Sequence, residues 1–496
     1  MKRTPIGLVM MNDEREHVWK ANEKENMNVL NKWADLLRKN LKDRTGSAPE
    51  IIVGSETVKS IKTARKVGEQ LVRSNCKQII MCYNVWDFPY LVWPFIQTIG
   101  LDKPVLSLSN NNGAYPGNVG LLATDGALRQ AGIRTHRIVG DIDDSGTLEE
   151  VIKWVNASQA ATCIKNEVYG CYGGHSMGME TGYFHLVPTI KYFGVTVYQI
   201  DQLLLLKTME KISGAEIEKG FVWFTEMLGD RILYDGKMLT PETLKKQIAL
   251  YLAMKKINQE YDFDFCGLKG QRELTEHVCL GDVPEMLMND PYDWDGPKEP
   301  FVCSTEADSY AAVTMQILKY CSGGLPVLFM DVRLYHPDID VWDFCNSGNH
   351  ASYYAALSDD PVENFKKITF HPALEFYFKA GGASVEFDAA AGPLTFARLG
   401  LWDDKPYMVI IRGESLSLDS NLRKKINSET NPTWPHVHAK LDCDFNNFLK
   451  VFPCNHIIAV AGDHVKTLKY FCEICKITPV VCEKGEKISE IWELVK

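Results

Sequence analysis

Short apolar runs alternate with helix-forming stretches through the first 141 residues, and this alternation is the feature that most constrains the fold. The runs expected to be strands are Ile6–Met11, 50–53, Gln78–Tyr83, Val105–Ser109 and 137–140. Between the first two, Leu30, Trp33 and Leu37 recur at helical spacing and share one face. Strands that alternate with helices form a parallel sheet with helices on both faces. Residues 1–150 are therefore predicted to be an α/β domain.

The alternation continues into a second region and then changes character. Residues 195–200 read as a strand and residues 241–258 as a helix, which predicts a second α/β domain over 151–322. Beyond that boundary, β-type runs at 368–370, 383–387, 394–399 and 407–412 are separated by Gly, Asp and Pro. Such spacing is typical of a barrel or sandwich. The expected fold is two Rossmann-like α/β domains with parallel sheets, followed by a β-rich, barrel-like domain over 323–496.

Composition excludes several classes of protein. A chain of 496 residues is too long for one hydrophobic core, and 45% hydrophobic with 24% charged residues is ordinary for a globular protein. A net charge of −10 argues against a nucleic-acid partner, and no stretch has the roughly 20 apolar residues that span a bilayer. The N-terminal apolar run is too short for a signal peptide. The 14 scattered cysteines indicate reduced packing residues, so we expect a cytoplasmic protein without a membrane partner.

Three local patterns could indicate a dinucleotide, zinc or calcium site, but the sequence supports none of these sites. No GxGxxG follows the first strand, which argues against a dinucleotide site. Cys472 and Cys475 form a CxxC inside a predicted helix, but no second pair stands at zinc-site spacing, so packing is the preferred interpretation. The stretch Asp293-Trp-Asp-Gly resembles part of a calcium loop, but Pro291 and Val302 occupy positions where that loop needs carboxylates.

Two carboxylates stand at the predicted ends of neighbouring elements. Asp331 closes a short apolar run that begins at residue 325, and open α/β sheets place ligand chemistry at the carboxyl ends of strands. Glu306 precedes a predicted amphipathic helix with Ala311, Met315 and Leu318 on one face. Such a pair can share a divalent cation or divide the roles of acid and base. The alternative is that Asp331 is only a helix cap or a turn residue.

Six segments, taken in order, carry a resemblance to a known family. They are 267–272 (Gly-Leu-Lys-Gly-Gln-Arg), 289–300, 301–309 (with Thr-Glu-Ala-Asp-Ser), 343–348, 431–436 (Asn-Pro-Thr-Trp-Pro-His) and 455–456 (Asn-His). Together they resemble the L-fucose isomerase family, which includes D-arabinose isomerases. The resemblance runs from about residue 5 to about residue 485 and is sharp over 265–350 and 431–464. It implies two α/β domains and a β-rich C-terminal domain, in agreement with the pattern above.

The resemblance also implies an activity. It implies a metal-dependent aldose–ketose isomerase, an intramolecular oxidoreductase that interconverts L-fucose with L-fuculose and D-arabinose with D-ribulose through an enediol. The implied cofactor is Mn²⁺, with Mg²⁺ or Co²⁺ as alternatives, and the implied assembly is a homohexamer. Two alternatives stay open: an isomerase for L-arabinose or a modified hexose, and a non-catalytic sugar-binding or regulatory protein of the same fold.

The resemblance assigns the catalytic and metal-binding roles. Glu306 and Asp331 match the acid/base carboxylates that also bind the metal, and His456 matches the third ligand. His436, His438 and His464 are the competing histidines, because a histidine beside a strand is usually a satisfied polar residue. Asp308 lies two residues from Glu306 and could be confused with it, but Glu306 is the matching position in the Thr-Glu-Ala-Asp-Ser segment.

The resemblance further implies a set of substrate-binding residues, namely Arg15, Trp86, Met177, Gln271, Ser347, Trp434 and Asn455. Trp86 matches an aromatic residue that reaches the site of a neighbouring subunit. Core packing is the alternative for Met177 and Trp434, and a solvated surface position is the alternative for Arg15. One departure is notable, because Ala383 follows paired glycines where better-known members have Tyr. Loss of that phenol would open space in the pocket and alter the choice of sugar.

Overall fold

The alternating segments of residues 1–163 fold into a parallel sheet in the structure, a computed structural model that describes residues 1–111, 115, 117–348 and 350–495. The strands are β1 (Ile6–Met11), β2 (Ile51–Val53), β3 (Gln78–Tyr83), β4 (Val105–Ser109) and β5 (His136–Val139). They pair in the order β2-β1-β3-β4-β5, and every pair is parallel. The prediction of an N-terminal α/β region is therefore confirmed.

Helices connect these strands. They are α1 (Glu16–Asn40), α2 (Ile61–Arg73), α3 (Val92–Ile99), α4 (Gly117–Gln130) and α5 (Ser145–Cys163). The predicted apolar face of α1 is buried through Leu30, Trp33 and Leu37. The strands β1 and β3 are buried along their whole length because helices cover both faces of the sheet. This unit ends at Cys163, and a second compact unit comprises Ile164–Lys496.

The second unit begins with another parallel sheet. Its segment of the chain contains β6 (Val168–Tyr172), β7 (Thr196–Ile200), β8 (Phe265–Leu268), the hairpin of β9 (Tyr292–Asp293) with β10 (Gly296–Pro297), and β11 (Cys303–Thr305). The parallel sheet has the order β11-β8-β6-β7. Glu306 follows the last residue of β11 directly, so this sheet positions the first candidate carboxylate.

The remainder of the second unit is rich in strands. They are β12 (Leu328–His336), β13 (Val341–Cys345), β14 (Thr369–Pro372), β15 (Ala383–Glu386), β16 (Gly392–Trp402), β17 (Lys405–Ser415), β18 (His436–Leu441), β19 (His456–Ala461) and β20 (Thr478–Cys482). The large sheet has the order β16-β19-β12-β13-β18-β17-β20, and β16 also pairs with β17. That additional pairing closes the sheet on itself, so the predicted barrel-like region is confirmed.

Helices of the second unit surround and separate the two sheets. They are α6 (Leu186–Pro188), α7 (Gln202–Met209), α8 (Gly214–Leu228), α9 (Pro241–Glu260), α10 (Glu273–His277), α11 (Asp282–Asn289), α12 (Ser309–Cys321), α13 (Pro361–Phe365), α14 (Ser420–Glu429), α15 (Phe445–Val451), α16 (Val465–Cys475) and α17 (Ile491–Leu494). Among the described helices, none is long and apolar enough to cross a membrane.

The helix α12 differs from its prediction. The sequence indicated an amphipathic helix with one apolar face, but every residue of α12 is buried. The reason is its position, because α12 packs against β8 and β11 of the parallel sheet and also against β16 and β19 of the barrel. A helix that is covered on all sides needs no polar face.

Asp331 also differs from its prediction. It lies inside β12 rather than at the end of a strand, and its neighbours are antiparallel strands of the barrel rather than an open parallel sheet. The apolar run stops at Arg333 because β12 becomes half-exposed there, but pairing with β13 extends the strand to His336. The apolar pattern therefore ends where the strand stops being buried, whereas the strand itself continues.

Candidate active site

The structure brings Glu306, Asp331 and His456 together. Asp331 in β12 is the register partner of His456 in β19, so the two side chains start from directly opposed positions of an antiparallel pair. The Nε2 atom of His456 lies 3.1 Å from Oδ1 of Asp331 and 3.3 Å from Oε2 of Glu306. One imidazole nitrogen is thus placed between two carboxylates.

A tight turn between β11 and α12 presents Glu306. Both Glu306 (φ 55°) and Ala307 (φ 50°) have left-handed backbone, which non-glycine residues seldom adopt. The amide of Ala307 donates to the carbonyl of Leu268 at 2.9 Å, which ties the turn to the neighbouring strand β8. Such conformations cost about 1–3 kcal/mol each and concentrate at functional sites. The surrounding sheet holds Glu306 in an otherwise unfavourable conformation.

A buried hydrogen-bonded chain orients His456. Its Nδ1 donates to Oδ2 of Asp308 at 2.6 Å, while Oδ1 of Asp308 accepts from Nη2 of Arg398 at 3.0 Å and from the amide of Ala311 at 2.8 Å. Burial alone would raise the pKa of Asp308, but Arg398 and His456 outweigh it and lower that pKa to about 2. An ionised carboxylate only accepts hydrogen bonds, so the proton of neutral His456 lies on Nδ1. The lone pair is left on Nε2.

The donor atoms around Nε2 fit a divalent cation. His456 Nε2 and Asp331 Oδ1 are buried and have no hydrogen-bond partner among the described residues. Burial lowers the pKa of His456, but Asp308, Asp331 and Glu306 raise it well above its usual value, and the same negative surroundings favour any cation. Two carboxylates and an imidazole nitrogen suit Mn²⁺. Asp308 would then orient the histidine ligand from behind, as carboxylates do at many metal sites.

A second group of side chains could also hold a metal. Ligand atoms of Asp343, His436 and His438 lie within 4.8 Å of one another, and all three residues are buried. Their hydrogen bonds are already satisfied, however. His436 contacts Asp343 Oδ1 through Nδ1 and the carbonyl of Asn431 through Nε2, both at 2.8 Å, and His438 Nε2 lies 2.8 Å from Oδ1 of Asn427. Both ring nitrogens of His436 therefore already face an acceptor oxygen, so neither is free to bind a metal.

A metal held by His456 and a metal held by His436 lead to different expected effects of mutation on metal affinity. We expect His456→Ala to lower the affinity for Mn²⁺ at least about 10-fold, since a ligand nitrogen is lost. His436→Ala and His464→Ala should change it less than about 3-fold, because His464 Nε2 already bonds to the carbonyl of Ala461 at 3.0 Å. Calorimetric titration of the metal-free protein measures all three. A larger loss in His436→Ala would assign the metal to the other group.

A cavity of about 270 Å³ opens beside Glu306 and Asp331. The predicted substrate-binding residues of this unit all line it, namely Met177, Gln271, Ser347, Trp434 and Asn455. Met177 is exposed and Trp434 is buried, so the first is not a packing residue and the second combines packing with a wall of the cavity. These side chains come from segments that are far apart in the sequence.

Arg333 is a residue of this cavity that the sequence interpretation missed. Its Nη2 lies 2.8 Å from Oδ2 of Asp331, and its guanidinium lies over the ring of Trp434, 5.1 Å from the centroid. Burial would raise the pKa of Asp331, but His456 and then Arg333 lower it below its usual value. Arg333 follows Asp331 by two positions, but a β-bulge between Val332 and Leu334 interrupts the alternation of the strand there. The spacing alone therefore did not indicate this contact.

Four further residues of the wall carried no signal in the sequence: Asp282, Glu285, Tyr377 and Phe378. They belong to α11 and to the segment before β15.

The described residues of the wall do not include Ala383. Ala383 is fully buried, and its backbone amide and carbonyl bond to the side chain of Gln247 at 2.7 and 3.1 Å. The neighbouring Tyr377 and Phe378 line the cavity instead. The space expected from the missing phenol is thus not seen at Ala383, and two aromatic rings border that part of the site.

Arg15 and Trp86 belong to the N-terminal unit, after β1 and β3 respectively. Both contact Phe88: the Arg15 guanidinium lies 5.9 Å from the Phe88 ring centroid, and the Trp86 ring meets it edge-on at 6.3 Å. Arg15 also pairs with Asp13 at 2.6 Å. The two predicted residues are therefore neighbours, and their contact with substrate stays a prediction.

Comparison with known proteins identifies the family of the chain. Three family models match the chain: the first N-terminal domain of L-fucose isomerase over residues 3–166, its second N-terminal domain over 252–323 and its C-terminal domain over 344–482. The chain belongs to the L-fucose isomerase family. Within the family match, Glu306 falls in the second N-terminal domain, His456 in the C-terminal domain and Asp331 between them.

Curated relatives extend the family match over most of the chain. An L-fucose isomerase of Bacteroides thetaiotaomicron is 26% identical over 91% of this chain and 88% of its own length. L-fucose isomerases of Vibrio vulnificus (23% identical, 83% of this chain, 80% of the relative) and Escherichia coli (24%, 87% and 83%) are also similar. The family consists of aldose–ketose isomerases.

Proposed function

We propose that this protein is a divalent-metal-dependent aldose–ketose isomerase that interconverts L-fucose with L-fuculose and D-arabinose with D-ribulose. The observation that carries the proposal is that Glu306 and Asp331, which both line the cavity, meet at the Nε2 of the buried His456. Membership of the L-fucose isomerase family supports the reaction class, and the cavity of about 270 Å³ is of a size for a single sugar unit.

Isomerisation moves a hydrogen between C1 and C2 of the sugar, and the residues of the cavity divide that task. Glu306, Asp331 and His456 would hold the cation, which when bound stabilises negative charge developing on O1 and O2. One of the two carboxylates takes the proton from C2, and the other, in its acid form, supplies a proton to C1, while the hydroxyl proton on O2 passes to O1. Arg333 holds Asp331 in place through an ion pair of 2.8 Å. Trp434 and the other lining residues keep water away from the enediol.

The proposal favours catalysis over a non-catalytic sugar-binding role. A protein that kept only the fold would be free to lose a ligand or an acid/base group. Here Glu306, Asp331 and His456 are all present, and a strained turn presents the first of them. Backbone strain is maintained where it serves function.

The decisive experiment is a ketose-forming assay on a panel of aldoses with EDTA-treated enzyme and with Mn²⁺, Mg²⁺ or Co²⁺ restored. We expect turnover of L-fucose and D-arabinose that EDTA abolishes and Mn²⁺ restores. The two sugars differ by one methyl group on C5, and an apolar contact of that size discriminates by about 10- to 200-fold. Preference for L-arabinose would keep the mechanism but change the substrate, and no metal-dependent turnover of any aldose would reject the proposal.

We propose a homohexamer in which Trp86 of one subunit borders the site of another. Support comes from family membership and from the cluster of Arg15, Phe88 and Trp86, in which Trp86 is half-buried and Arg15 is exposed. Closed symmetric oligomers are also the usual state of such enzymes. We expect Trp86→Ala to raise KM at least about 5-fold while light scattering still shows the same oligomer. An active monomer would contradict the assembly, and an unchanged KM would contradict only the role of Trp86.

We also propose a cytoplasmic enzyme. None of the 14 cysteines, all of which lie in the described part of the chain, forms a disulfide, and all except Cys454 and Cys475 are buried. A chain with this many cysteines outside disulfides is typical of a reducing compartment.

A further inference from the structure

The wall of the cavity contains a buried acidic pair that the proposed mechanism does not use. Asp282 and Glu285 lie in the first turn of α11, and their side chains line the cavity although the residues are only 1% and 2% exposed. Carboxyl groups that are this deeply buried are normally paired with a cation or fully hydrogen-bonded. Of the two, Asp282 has a buried carboxylate oxygen without a hydrogen-bond partner among the described residues, which indicates room for a ligand there.

The hydrogen bonds of Asp282 are incomplete on one side. Its Oδ1 accepts from the hydroxyl of Ser347 at 2.9 Å, whereas its Oδ2 is buried without a hydrogen-bond partner among the described residues. Ser347 was expected to meet the sugar itself, but its hydroxyl proton is already donated to Asp282. The hydroxyl of Ser384 lies near the same carboxylate, but neither it nor Oδ2 has a hydrogen-bond partner among the described residues, so Oδ2 is the unsatisfied acceptor of Asp282.

Other unpartnered polar atoms lie on the same cavity. The indole Nε1 of Trp434 and the Oδ1 of Asn346 are buried without partners, and both residues line the wall. These atoms belong to different elements from Asp282, so they are an independent indication of a polar ligand. One donor and two acceptors match the pattern of sugar hydroxyls, each of which donates and accepts.

The backbone at Gly348 leaves room for the acidic pair. Gly348 has φ 82°, and a Cβ there would lie 2.5 Å from Oε2 of Glu285 and 3.2 Å from Oδ1 of Asp282. A side chain at this position would displace both carboxyl groups from the wall. The positive φ and the close approach both require glycine.

We propose that Asp282 is a specificity-determining residue whose Oδ2 accepts a hydrogen bond from a sugar hydroxyl beyond C2, with Ser347 holding the carboxylate in position. The inference rests on the proposed function, because the group of Glu306, Asp331 and His456 is assigned to O1 and O2. The remaining hydroxyls must then meet other polar atoms of the wall, and Asp282 Oδ2 is a carboxylate acceptor there without a partner among the described residues.

The charge state of Asp282 is compatible with this role. Burial raises the pKa of Asp282 to about 7, although the hydroxyls of Ser347 and Ser384 offset part of the effect. At pH 8 the carboxylate is mostly ionised and accepts hydrogen bonds only. Assays at that pH therefore test the acceptor directly.

Asp282→Asn is the informative variant, because it keeps an oxygen for Ser347 and replaces the acceptor that faces the sugar by a donor. Asp290→Asn is the matched control. Asp290 is also buried, stands at the other end of the same helix, and has a pKa that burial raises to about 7. Its oxygens are satisfied by Ser352 at 2.6 Å and by the amide of Tyr353 at 3.1 Å, and it does not line the cavity.

Both variants and the wild type would be assayed at pH 8 with the preferred aldose and its 3-deoxy and 4-deoxy analogues. In wild type, one analogue should lose about 10- to 100-fold in kcat/KM, the usual effect of a hydrogen bond to a charged group. With the parent sugar, Asp282→Asn should lower kcat/KM by a similar factor. In this variant, the same deoxy analogue should lower kcat/KM by less than about a further 3-fold, because the contact is already lost. Asp290→Asn should behave like wild type, and Mn²⁺ affinity should be unchanged in both. If every deoxy analogue lowered kcat/KM in Asp282→Asn by the same factor as in wild type, the inference would be overturned.

A binding measurement separates this inference from the proposed function. Calorimetric titration with L-fucitol and D-arabinitol measures binding affinity and requires no turnover. It therefore tests the contact of Asp282 even if the enzyme converts none of the aldoses. We expect Asp282→Asn to weaken alditol binding at least about 10-fold with an unchanged thermal unfolding midpoint. Equal alditol affinities in wild type and Asp282→Asn would reject the role of Asp282 while leaving the isomerase assignment intact.

Discussion

Glu306→Gln and Asp331→Asn should each lower kcat by at least about 100-fold, the low end for removal of a positioned acid or base. Each replacement keeps the size of the side chain but removes the proton acceptor. Each also removes a negative charge beside the Nε2 of His456, which lies 3.3 Å from Glu306 and 3.1 Å from Asp331. Metal affinity should fall as well, so both variants must be assayed at saturating Mn²⁺.

Deuterium exchange separates the two contributions. In an enediol route the transferred proton passes through a carboxyl group, so turnover in D2O labels the product. A variant that still binds Mn²⁺ but neither labels nor converts the sugar has lost proton transfer. Asp338→Asn is the control, since Asp338 is exposed in the turn that follows the strand of Asp331. Near-normal kcat in either site variant would show that another carboxylate is the catalytic one.

The sequence predicted the fold because its signals are local. Alternating apolar runs and helical periodicity are short-range patterns, and they indicated both parallel sheets and the β-rich region. Local patterns fail where tertiary contacts decide the outcome. The helix α12 is buried on every side because two sheets enclose it, and no periodicity within 13 residues could reveal that. Asp331 lies inside a strand because β13 pairs with the half-exposed part of β12.

Some site residues were predicted from the sequence, whereas the roles of others are evident only in the structure. The resemblance named Glu306, Asp331 and His456, and the structure gives a physical reason for their proximity in the cross-strand register of the last two. Register between distant strands is set by tertiary pairing and cannot be derived from spacing. Asp308 was only a neighbour of Glu306 in the sequence, yet it both caps a helix and orients His456. Such a double role appears only when the three elements meet.

Asp308→Asn is the second prediction with a large expected effect, and tautomer preference is its cause. The Oδ1 of Asp308 is fixed by two donors, Arg398 and the amide of Ala311, so in the variant the new NH₂ group must face His456. That group donates to Nδ1 and forces the histidine proton onto Nε2, where the lone pair for the cation should be. We expect Mn²⁺ affinity to fall about 10- to 100-fold, the range for loss of a residue behind a metal ligand.

Stability should fall together with metal affinity. Arg398 and Asp308 are fully buried, and Nε and Nη1 of Arg398 have no partner among the described residues, so Asp308 is the main compensation for the arginine charge. Removing one member of a buried ion pair typically costs about 3–5 kcal/mol. Denaturant unfolding of the metal-free protein measures this loss. Asp419→Asn is the control for capping alone, because Asp419 caps α14 at the surface and has no charged partner of this kind.

The double variant Asp308→Asn/Arg398→Met separates the two effects. It removes both charges, so the free energy of unfolding should recover toward that of wild type, as neutral replacements of buried ion pairs often do. Mn²⁺ affinity should stay low, because the amide at position 308 still selects the wrong tautomer of His456. Recovery of stability without recovery of metal binding is the signature of a carboxylate that positions its histidine. Recovery of both would mean that Asp308 acts only as the counter-ion of Arg398, and recovery of neither would mean that the helix cap dominates.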